Sequence, residues 1–385
     1  MEKKNQKNCC RDTMNISLKN FHRNYKKKKD TCRLNVPIGT IRIKASTLQA
    51  YEKTAASWKK SNKTFAHLLK AVKLFKANKN FKVLIDTKSP SFLKGQLSPE
   101  GRPQGARINV LPDGTVLDKA YSLFAKHLTF HDQSSHDHWD VIYQNKGGTY
   151  AYSYTLNKKR QHQNNKYKKV WEFDKRYSLL TRNVNLALRN EKDPLAVPMY
   201  TLLKTYMRVG NEIYYRTHKH KGLTTLKKKD IAVSGNKVTF NYIAKDGVPR
   251  IITLPFPDTY IFRLKKLLQH LKQDDFVFTS NQKGNSGHPL REEHFKKAFK
   301  NYCGQEFYPH IVRSHFATTK VKEFLKGKRK IRKEEVEKLF LSIAAELGHK
   351  KFVKKEHVWK DNYTVTVNHY VQPELIEKIK EITVK

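Results

Sequence analysis

The stretch MRVGNEIYYRTHKHKGLTTLKKKDI, residues 207–231, decides how the second half of this chain folds. Its Arg208 follows an apolar run with α-helical spacing and precedes Gly210, a turn-forming residue. The run starts near Pro198, a residue common in first helical turns. Its members are Met199, Leu202, Leu203, Tyr206 and Met207. We therefore expect a buried helix that ends at Arg208.

A β-hairpin is predicted shortly after this stretch. Residues 237–243 and 248–254 are rich in β-branched and aromatic side chains, and the sequence AKDG at 244–247 separates them. This pattern places Lys245 at the tip of the hairpin.

Two histidines and an arginine lie at the predicted ends of helices. His310 and Arg313 follow Pro309 and are three residues apart, so a helix starting there would direct both to one face. A second helical pattern stops at Gly348, which is a typical C-terminal cap, and His349 comes next. The apolar positions of that pattern are Val336, Leu339, Phe340, Ile343, Ala344 and Leu347.

Tyr370 stands directly before VQP at 371–373, where a further helix is predicted. Taken alone, every one of these residues has a simpler explanation. Arg208 could be a surface arginine, Lys245 could occupy an ordinary turn, and His349 could be a helix cap.

Together and in this order, these motifs resemble the catalytic domain of type IB DNA topoisomerases and of the related tyrosine recombinases. The resemblance is closest over residues 207–231, and it continues through YIAKDGV at 242–248. It ends with AAELGHKK at 344–351 and HYVQPELI at 369–376, and weaker similarity reaches back to about Trp139. The combination is specific, although no single motif is.

The resemblance implies a role for each residue of the set. Tyr370 would be the nucleophile, and Lys245 would be the general acid that protonates the departing 5′ oxygen. Arg208, Arg313 and His349 would bind the non-bridging oxygens of the scissile phosphate. Such donors suit the negative charge that builds up during in-line attack. A tyrosine hydroxyl, with an ordinary pKa of about 10, needs neighbours of this kind to react as an anion.

Two features depart from the short viral and bacterial topoisomerases. His349 and Tyr370 are 21 positions apart, which is a long separation, and the strand-like YTVTV at 363–367 contains a second candidate nucleophile, Tyr363. In addition, YPHIVRSHFAT at 308–318 resembles the recombinase box, so His310 is a possible accessory phosphate ligand or proton shuttle. We expect His315 to be structural.

The resemblance and the residue patterns together predict an α+β chain with three parts. Residues 1–30 are expected to form a disordered basic tail, and 31–165 an N-terminal α+β domain that clamps DNA. Residues 166–385 would form a mainly α-helical catalytic domain of the topoisomerase IB and tyrosine recombinase type, with a small β-hairpin or sheet. Within the N-terminal part, 48–75 has helical apolar positions, whereas 139–144 and 149–156 predict a hairpin. The basic segment 161–169 is a candidate linker.

Charge indicates the class of partner. The chain carries 78 Lys and Arg against 34 Asp and Glu, a formal net charge of +44, which favours a polyanion. No apolar run is long enough to span a membrane and no signal peptide is evident, so nucleic acid is preferred to a membrane surface. A Lys-rich proteome could explain part of the excess. The candidate phosphate contacts are Lys158, Lys159, Arg160, Lys227, Lys228 and Lys229.

The four cysteines lack paired spacing, which favours a reducing intracellular compartment and argues against a zinc site. We expect the protein to be cytoplasmic or nucleoid-associated, or to be located in the virion or the host cytoplasm if its source is viral. A cluster around His131, His136 and His138 invites a metal interpretation, but its spacing fits a polar loop better.

The leading hypothesis is a type IB topoisomerase that relaxes supercoils through a 3′-phosphotyrosyl intermediate, without ATP or metal. A monomer would act as a clamp around double-stranded DNA. The alternative is a tyrosine site-specific recombinase or integrase, which uses the same chemistry. A third possibility is a basic nucleic-acid-binding protein without enzymatic activity.

Overall fold

The computed structural model describes residues 36–131, 139–144, 150–280, 287–353 and 355–384. The chain divides into two compact units, Met1–Lys159 and Arg160–Lys385. Compactness alone does not define a functional domain, so the limits 31–165 and 166–385 stay predictions. The expected basic tail at 1–30 lies outside the described residues.

The first unit is mostly β-structure. Its described elements are β1 (Ile41–Ile43), β2 (Ala50–Lys53), β3 (Trp58–Lys60), α1 (Ala66–Ala77), β4 (Gln96–Leu97), β5 (Pro103–Gln104), β6 (Ile108–Val110), β7 (Val116–Tyr121), β8 (Lys126–Phe130), β9 (Val141–Gln144) and β10 (Tyr150–Ser153). Five strands form one sheet in the order β3-β2-β1-β4-β5, and β10-β9-β8 and β6-β7 form two smaller sheets.

The helix predicted over 48–75 is only partly present. Residues up to Lys60 form β2 and β3, and the helix α1 starts at Ala66. Apolar residues separated by lysines fit both a helix and a half-buried strand over a short window, so periodicity alone did not separate the two. The apolar face of α1 is buried through Leu68, Ala71, Val72 and Phe75.

The strands of the predicted hairpin are confirmed. β9 and β10 pair antiparallel, with Gln144 opposite Tyr150 and Val141 opposite Ser153. The residues expected to form its turn, 145–148, lie outside the described residues. Tyr150 is exposed, while Tyr152 and Tyr154 are half-buried.

The second unit is mainly helical, and its first helix, α2 (Leu156–Ala187), starts just before the division between the units. Its other helices are α3 (Ala196–Thr205), α4 (Glu212–His218), α5 (Asp258–Gln269), α6 (Glu292–Cys303), α7 (Ile311–Leu325), α8 (Lys333–Leu347), α9 (Thr364–His369) and α10 (Pro373–Ile382). Its strands are β11 (Ile231–Ser234), β12 (Lys237–Ile243), β13 (Pro249–Pro255), β14 (Ile331–Arg332), β15 (Lys350–Val353), β16 (Val358–Asp361) and β17 (Thr383–Val384).

The α+β class is therefore confirmed: a β-rich first unit precedes a helical second unit with small sheets. The segment 161–169, expected as a linker, lies inside the continuous helix α2. Its polar residues occupy the exposed side of that helix, whereas Tyr167, Val170 and Phe173 bury the opposite side.

The predicted hairpin in the second unit is confirmed and has a third strand. β12 pairs antiparallel with β13 from Lys237 opposite Pro255 to Ile243 opposite Pro249, and β11 pairs with the other edge of β12. Val238 and Phe240 point inward from β12 and are buried in the main core of this unit.

A smaller core lies between α7, α8 and the C-terminal helices. It contains Phe316 and Val321 of α7, Phe340 and Ile343 of α8, and Tyr370. The helix α8 ends at Gly348, whose φ of 70° lies in the left-handed region, as predicted for a glycine cap. Among the described residues, no helix is both long and apolar enough to cross a membrane.

An unpredicted antiparallel ribbon, β15–β16, fills much of the long interval between His349 and Tyr370. Lys350 is opposite Asp361, and the backbone N–H of Asn362 donates to the His349 carbonyl at 2.9 Å. The chain therefore returns to His349 after the ribbon.

The buried face of α1 predicts how stability is distributed in the first unit. Leu68→Ala should lower the free energy of opening of α1 by about 2–5 kcal/mol, because Leu68 is fully buried and the substitution leaves a cavity. Leu74→Ala on the same helix, at a position 44% exposed, should change it by less than about 0.5 kcal/mol. Native-state hydrogen exchange of α1 amides measures both, and equal losses would contradict this packing.

Candidate active site

The guanidinium of Arg313 is the centre of the candidate site. Arg313 lies in the first turn of α7 and is 2% exposed. Nη1 donates to the carbonyl of Tyr206, just beyond α3, and Nη2 donates at 2.9 Å to the carbonyl of Leu347, at the end of α8. One side chain therefore joins the ends of two helices to a third. Burial lowers the pKa of Arg313 to about 10, so it remains a cation at neutral pH.

Arg208 lies in a loop rather than at a helix end. The helix α3 stops at Thr205, and Tyr206 has a left-handed φ of 54°, so Arg208 follows the turn. The backbone of this loop pairs with residues after α4: Leu223 N–H donates to the Arg208 carbonyl at 2.8 Å, and Thr224 N–H donates to the Val209 carbonyl at 2.7 Å.

This pairing explains why the motif of residues 207–231 contains two glycines. A Cβ at Gly222 would lie 2.6 Å from both the Arg208 carbonyl oxygen and the Gly210 nitrogen, which is closer than such contacts occur. Gly210 has a φ of 98°, a conformation that glycine adopts at no steric cost. The sequence RVG and the later GLTT are thus two halves of one backbone support for Arg208.

Within the described residues, the guanidinium of Arg208 makes no hydrogen bond or ion pair. Its positive charge nevertheless acts on the pKa values of Tyr242, His310, Arg313 and His349, so it lies in their neighbourhood. An unpaired cation beside a buried one is electrostatically unfavourable until an anion arrives.

Lys245 is exposed at the tip of the hairpin, as predicted. The turn is closed by Ala244 N–H, which donates to the Val248 carbonyl at 2.7 Å, and Asp246 has a left-handed φ of 65°. The ammonium of Lys245 has no ionic partner among the described residues.

Arg250 fixes the hairpin to the end of α8. Its two terminal nitrogens donate to the carbonyls of Ala345 and Glu346 at 2.6 and 2.7 Å. These are orphan carbonyls of a helix C-terminus, which a cation there also stabilises. Arg250 therefore fixes the backbone of the hairpin that carries Lys245 relative to the helix end that precedes His349.

His349 is buried and neutral. Burial and the adjacent cations Arg313 and Arg208 lower its pKa to about 3. Its Nε2 lies 3.0 Å from Nη2 of Arg313, and its Nδ1 lies 2.8 Å from Oγ1 of Thr366. Because a guanidinium can only donate, Nε2 is the acceptor, and we assign the proton to Nδ1, which donates to Thr366.

Tyr370 lies beside Arg313 and His349. It is the C-cap of α9, is 3% exposed, and lies three positions before the first residue of α10. Its ring centroid is 4.8 Å from that of His349 and 5.1 Å from the guanidinium carbon of Arg313.

Tyr363 occupies a different environment. The segment predicted as strand-like is helical, because Tyr363 caps the N-terminus of α9. Its ring stacks on Phe340 of α8 with centroids 5.9 Å apart.

The two histidines of the recombinase-like box have different surroundings. His310 is the exposed N-cap of α7, and its ring centroid lies 5.1 Å from that of Tyr370. His315 is buried one turn further along and pairs with Asp174 of α2 at 2.7 Å, which fits the structural role expected of it.

Four of the five predicted catalytic residues line one pocket of ≈ 120 Å³. Arg208, Lys245, Arg313 and His349 reach it from four separate segments, together with Arg250. Tyr370 contacts Arg313 and His349 but does not line the pocket. The arrangement is a basic pocket, and the buried phenol of Tyr370 packs against two of the side chains that line it.

The six predicted phosphate contacts are mostly engaged within the chain. Lys227 and Lys229 both pair with Asp274, and Lys228 donates to the Leu271 carbonyl. Lys158 pairs with Asp140 and Lys159 with Asp118, whereas Arg160 is exposed. A phosphate contact at the lysines would exchange these partners, so their DNA role stays a prediction.

Only part of the histidine cluster that invites a metal interpretation lies within the described residues. His136 and His138 lie outside the described residues, and among the described residues no group of three or more His, Cys, Asp or Glu side chains could hold a metal ion.

Residues 155–379 match the family model described as the catalytic core of eukaryotic DNA topoisomerase I. The match spans more than half of the chain and contains every predicted catalytic residue. The chain belongs to this family.

The chain is also similar to the DNA topoisomerase 1B of Acanthamoeba polyphaga mimivirus. The two sequences are 26% identical over 215 residues, which cover 52% of this chain and 63% of the mimivirus protein. The matched region thus spans less than two thirds of that relative.

Two solved structures of the XerH site-specific recombinase are also similar. One is a pre-cleavage complex bound to difH substrate, with a TM-score of 0.29, 17% identity and coverage of 45% of this chain and 44% of that chain. The other is a post-cleavage complex with palindromic difH, with a TM-score of 0.31, 18% identity and 49% coverage of each chain. At these scores neither likeness adds to the family assignment.

Sequence reasoning missed Arg250, although a signal for it was available. The predicted hairpin puts Arg250 directly opposite Tyr242, beside the tip that carries Lys245. It also missed Lys166 and Tyr167, whose partners His369 and Val371 are 203 and 204 positions away. No local pattern reports contacts of that separation.

The buried state of His349 predicts its titration. Its ring protons should keep a constant chemical shift from pH 8 down to about 5, because the pKa in the folded protein is about 3. In the urea-unfolded chain they should titrate near 6.5. The folded pKa is the lower one, so the unfolded state binds more protons and stability is lost as pH falls from about 6.5 towards 3. Histidine-selective NMR, assigned with His349→Gln, measures this, and a folded-state titration near 6.5 would contradict it.

Proposed function

We propose that this protein is a type IB DNA topoisomerase, which breaks and reseals one strand of double-stranded DNA through a covalent bond to Tyr370. One observation carries the proposal. In a member of the topoisomerase I family, Arg208, Lys245, Arg313 and His349 converge on one basic pocket, and Tyr370 packs against two of them.

The proposed reaction is a transesterification. The Tyr370 oxygen attacks phosphorus and loses its proton to solvent, a new P–O bond forms at the 3′ end, and the bond to the 5′ oxygen breaks. Lys245 gives a proton to that departing oxygen. Resealing is the reverse, in which the 5′ hydroxyl displaces Tyr370 and returns a proton to Lys245. The phosphodiester energy is kept in the phosphotyrosine, so neither ATP nor a metal is needed.

The pocket cations have complementary roles in this reaction. Arg208 has no protein partner among the described residues and would take a non-bridging oxygen directly. Two nitrogens of Arg313 donate to backbone carbonyls. Its Nε is buried without a hydrogen-bond partner and would donate to a second non-bridging oxygen of the phosphate. Donors directed at the phosphate oxygens stabilise the negative charge that develops on them during the reaction.

His349 must change its hydrogen bonding in order to donate to phosphate, since its Nε2 accepts from Arg313 in the DNA-free protein. The Thr366 hydroxyl makes this possible because it can either accept from Nδ1 or donate to it. We propose that phosphate replaces His349 as a partner of Arg313, which keeps its bonds to the Tyr206 and Leu347 carbonyls. The imidazole then loses its proton at Nδ1 and gains one from solvent at Nε2, and Thr366 donates to Nδ1. Tyr370 would turn towards the pocket in the same step.

We infer that the partner is double-stranded DNA, engaged by a monomer acting as a clamp. The net charge of +44 supports a polyanionic partner, and many phosphate contacts would make affinity fall steeply with salt. We also propose that the protein acts in the cytoplasm, on a nucleoid or, if the source is viral, on viral DNA.

The proposal is tested by relaxation of a supercoiled plasmid of arbitrary sequence in EDTA without ATP. Wild-type protein should relax it, and detergent should trap protein on DNA 3′ ends. Tyr370→Phe should abolish both activities because the phenol oxygen is the nucleophile. The matched control, Tyr363→Phe, should keep both.

Other outcomes would redirect the proposal. Adduct that persists in Tyr370→Phe but disappears in Tyr363→Phe would move the nucleophile. Reaction only on plasmids with a particular site, or only after two sites pair, would indicate a site-specific recombinase, which the His310–Arg313 box resembles. Wild-type protein that forms no adduct would leave a non-enzymatic DNA-binding protein.

The role of Lys245 predicts a substrate-dependent defect. Lys245→Ala should slow cleavage of ordinary DNA by about 10²–10⁴-fold, the usual contribution of a general acid. The same variant should cleave DNA with sulfur in place of the departing 5′ oxygen at close to the wild-type rate, because a thiolate leaves without a proton. A defect of equal size on both substrates would show that Lys245 acts by binding and not by proton transfer.

A further inference from the structure

The peptide segment that carries Tyr370 is held by side chains from two other helices. The carbonyls of His369, Tyr370 and Val371 are consecutive, and each accepts a side-chain hydrogen bond. The donors are Lys166 of α2, Thr318 of α7 and Tyr167 of α2, respectively. We call these three donors the tyrosine anchor.

The local structure explains why such donors are needed. Tyr370 lies between the end of α9 and the start of α10, where carbonyls lack the donors that a continuing helix would supply. Pro373 has no N–H and cannot supply one. The N–H groups of Tyr370 and Val371 both donate to the Thr366 carbonyl, but among the described residues the three carbonyls of this link would lack partners without the side-chain donors.

The two donors from α2 are well suited to this position. The Tyr167 hydroxyl donates to the Val371 carbonyl at 2.6 Å, and burial raises its pKa, so it remains protonated. Burial lowers the pKa of Lys166 to about 8, so its ammonium form still predominates at neutral pH. That ammonium lies 5.5 Å from the ring centroid of Tyr370. Lys166 therefore restrains both the backbone and the ring.

The anchoring helix is itself fixed in the second unit. Phe173 of α2 is fully buried in the main core, and Asp174 accepts from His315 of α7. Since α7 also carries Arg313, the same pair of helices sets the position of the phosphate ligand and of the nucleophile. A rigid support of this kind matters because a displacement of about 1 Å can cost about 10²-fold in rate.

We propose that Lys166 and Tyr167 are positioning residues for Tyr370, which bind the carbonyls on either side of it and so fix the backbone from which its side chain turns towards the scissile phosphate. This inference rests on the proposed function. Neither residue lines the pocket, so we assign both of them a role that acts through Tyr370.

The test compares rate with affinity. Lys166→Met and Tyr167→Phe should each slow the first strand cleavage at saturating plasmid by about 10-fold or more, while DNA affinity stays within about two-fold. Lys166→Arg should recover most of the rate, because a guanidinium can donate to the same carbonyl. The control is Lys169→Met, which removes the same charge from an exposed position of the same helix and should keep the wild-type rate.

The double variant Lys166→Met, Tyr167→Phe gives a second readout. Because both residues hold one segment, their combined effect should be smaller than the product of the single effects. Cleavage is measured by rapid detergent quenching of supercoiled plasmid, affinity by filter binding at the same salt, and folding by urea denaturation.

The outcomes separate the two proposals. If wild-type protein forms no adduct, the proposed function fails. If wild-type protein cleaves DNA and Lys166→Met matches Lys169→Met, only the anchor is overturned. Loss of affinity in proportion to rate, or a Lys166→Arg variant as slow as Lys166→Met, would also overturn it.

Discussion

The candidate site depends on one buried cation. The guanidinium of Arg313 holds the carbonyls of Tyr206 and Leu347 and contacts the rings of His349 and Tyr370. A buried charge is costly unless its donors are used. Here they are used to assemble the site, since the Tyr206 carbonyl precedes Arg208 by two residues and the Leu347 carbonyl precedes His349 by two. The backbone segments that lead to Arg208 and to His349 are therefore both tied to Arg313.

Further supports of the site come from close backbone contacts and from a side chain outside the predicted catalytic set. Gly222 and Gly210 allow two backbone segments to touch beneath Arg208, and Arg250 binds the last carbonyls of α8 beneath His349. The catalytic side chains consequently keep free donors, such as Nε of Arg313. This division between support and chemistry keeps cations together before any anion binds.

The sequence predicted the parts of the site that depend on local pattern. Two strand-like segments separated by a short turn were sufficient to place Lys245 at a hairpin tip. A glycine after an amphipathic helical pattern was sufficient to place His349 just beyond a helix end. Local pattern was insufficient over 48–75, where the apolar positions fit both a helix and a strand. It was also insufficient over 161–169, where a polar composition typical of a linker belongs to a continuous helix. It also could not supply Lys166 or Tyr167, because hydrogen bonds to distant carbonyls leave no periodic trace. The position of Tyr370 relative to the pocket likewise required coordinates.

The ribbon β15–β16 has a practical consequence. Because Lys350 faces Asp361 and Asn362 binds the His349 carbonyl, the ribbon leaves and rejoins the chain at one place. The number of residues in the ribbon therefore does not set the distance in space between His349 and Tyr370. Residues 355–357, which precede β16, are exposed and are therefore a suitable attachment point for a fluorophore or an additional peptide.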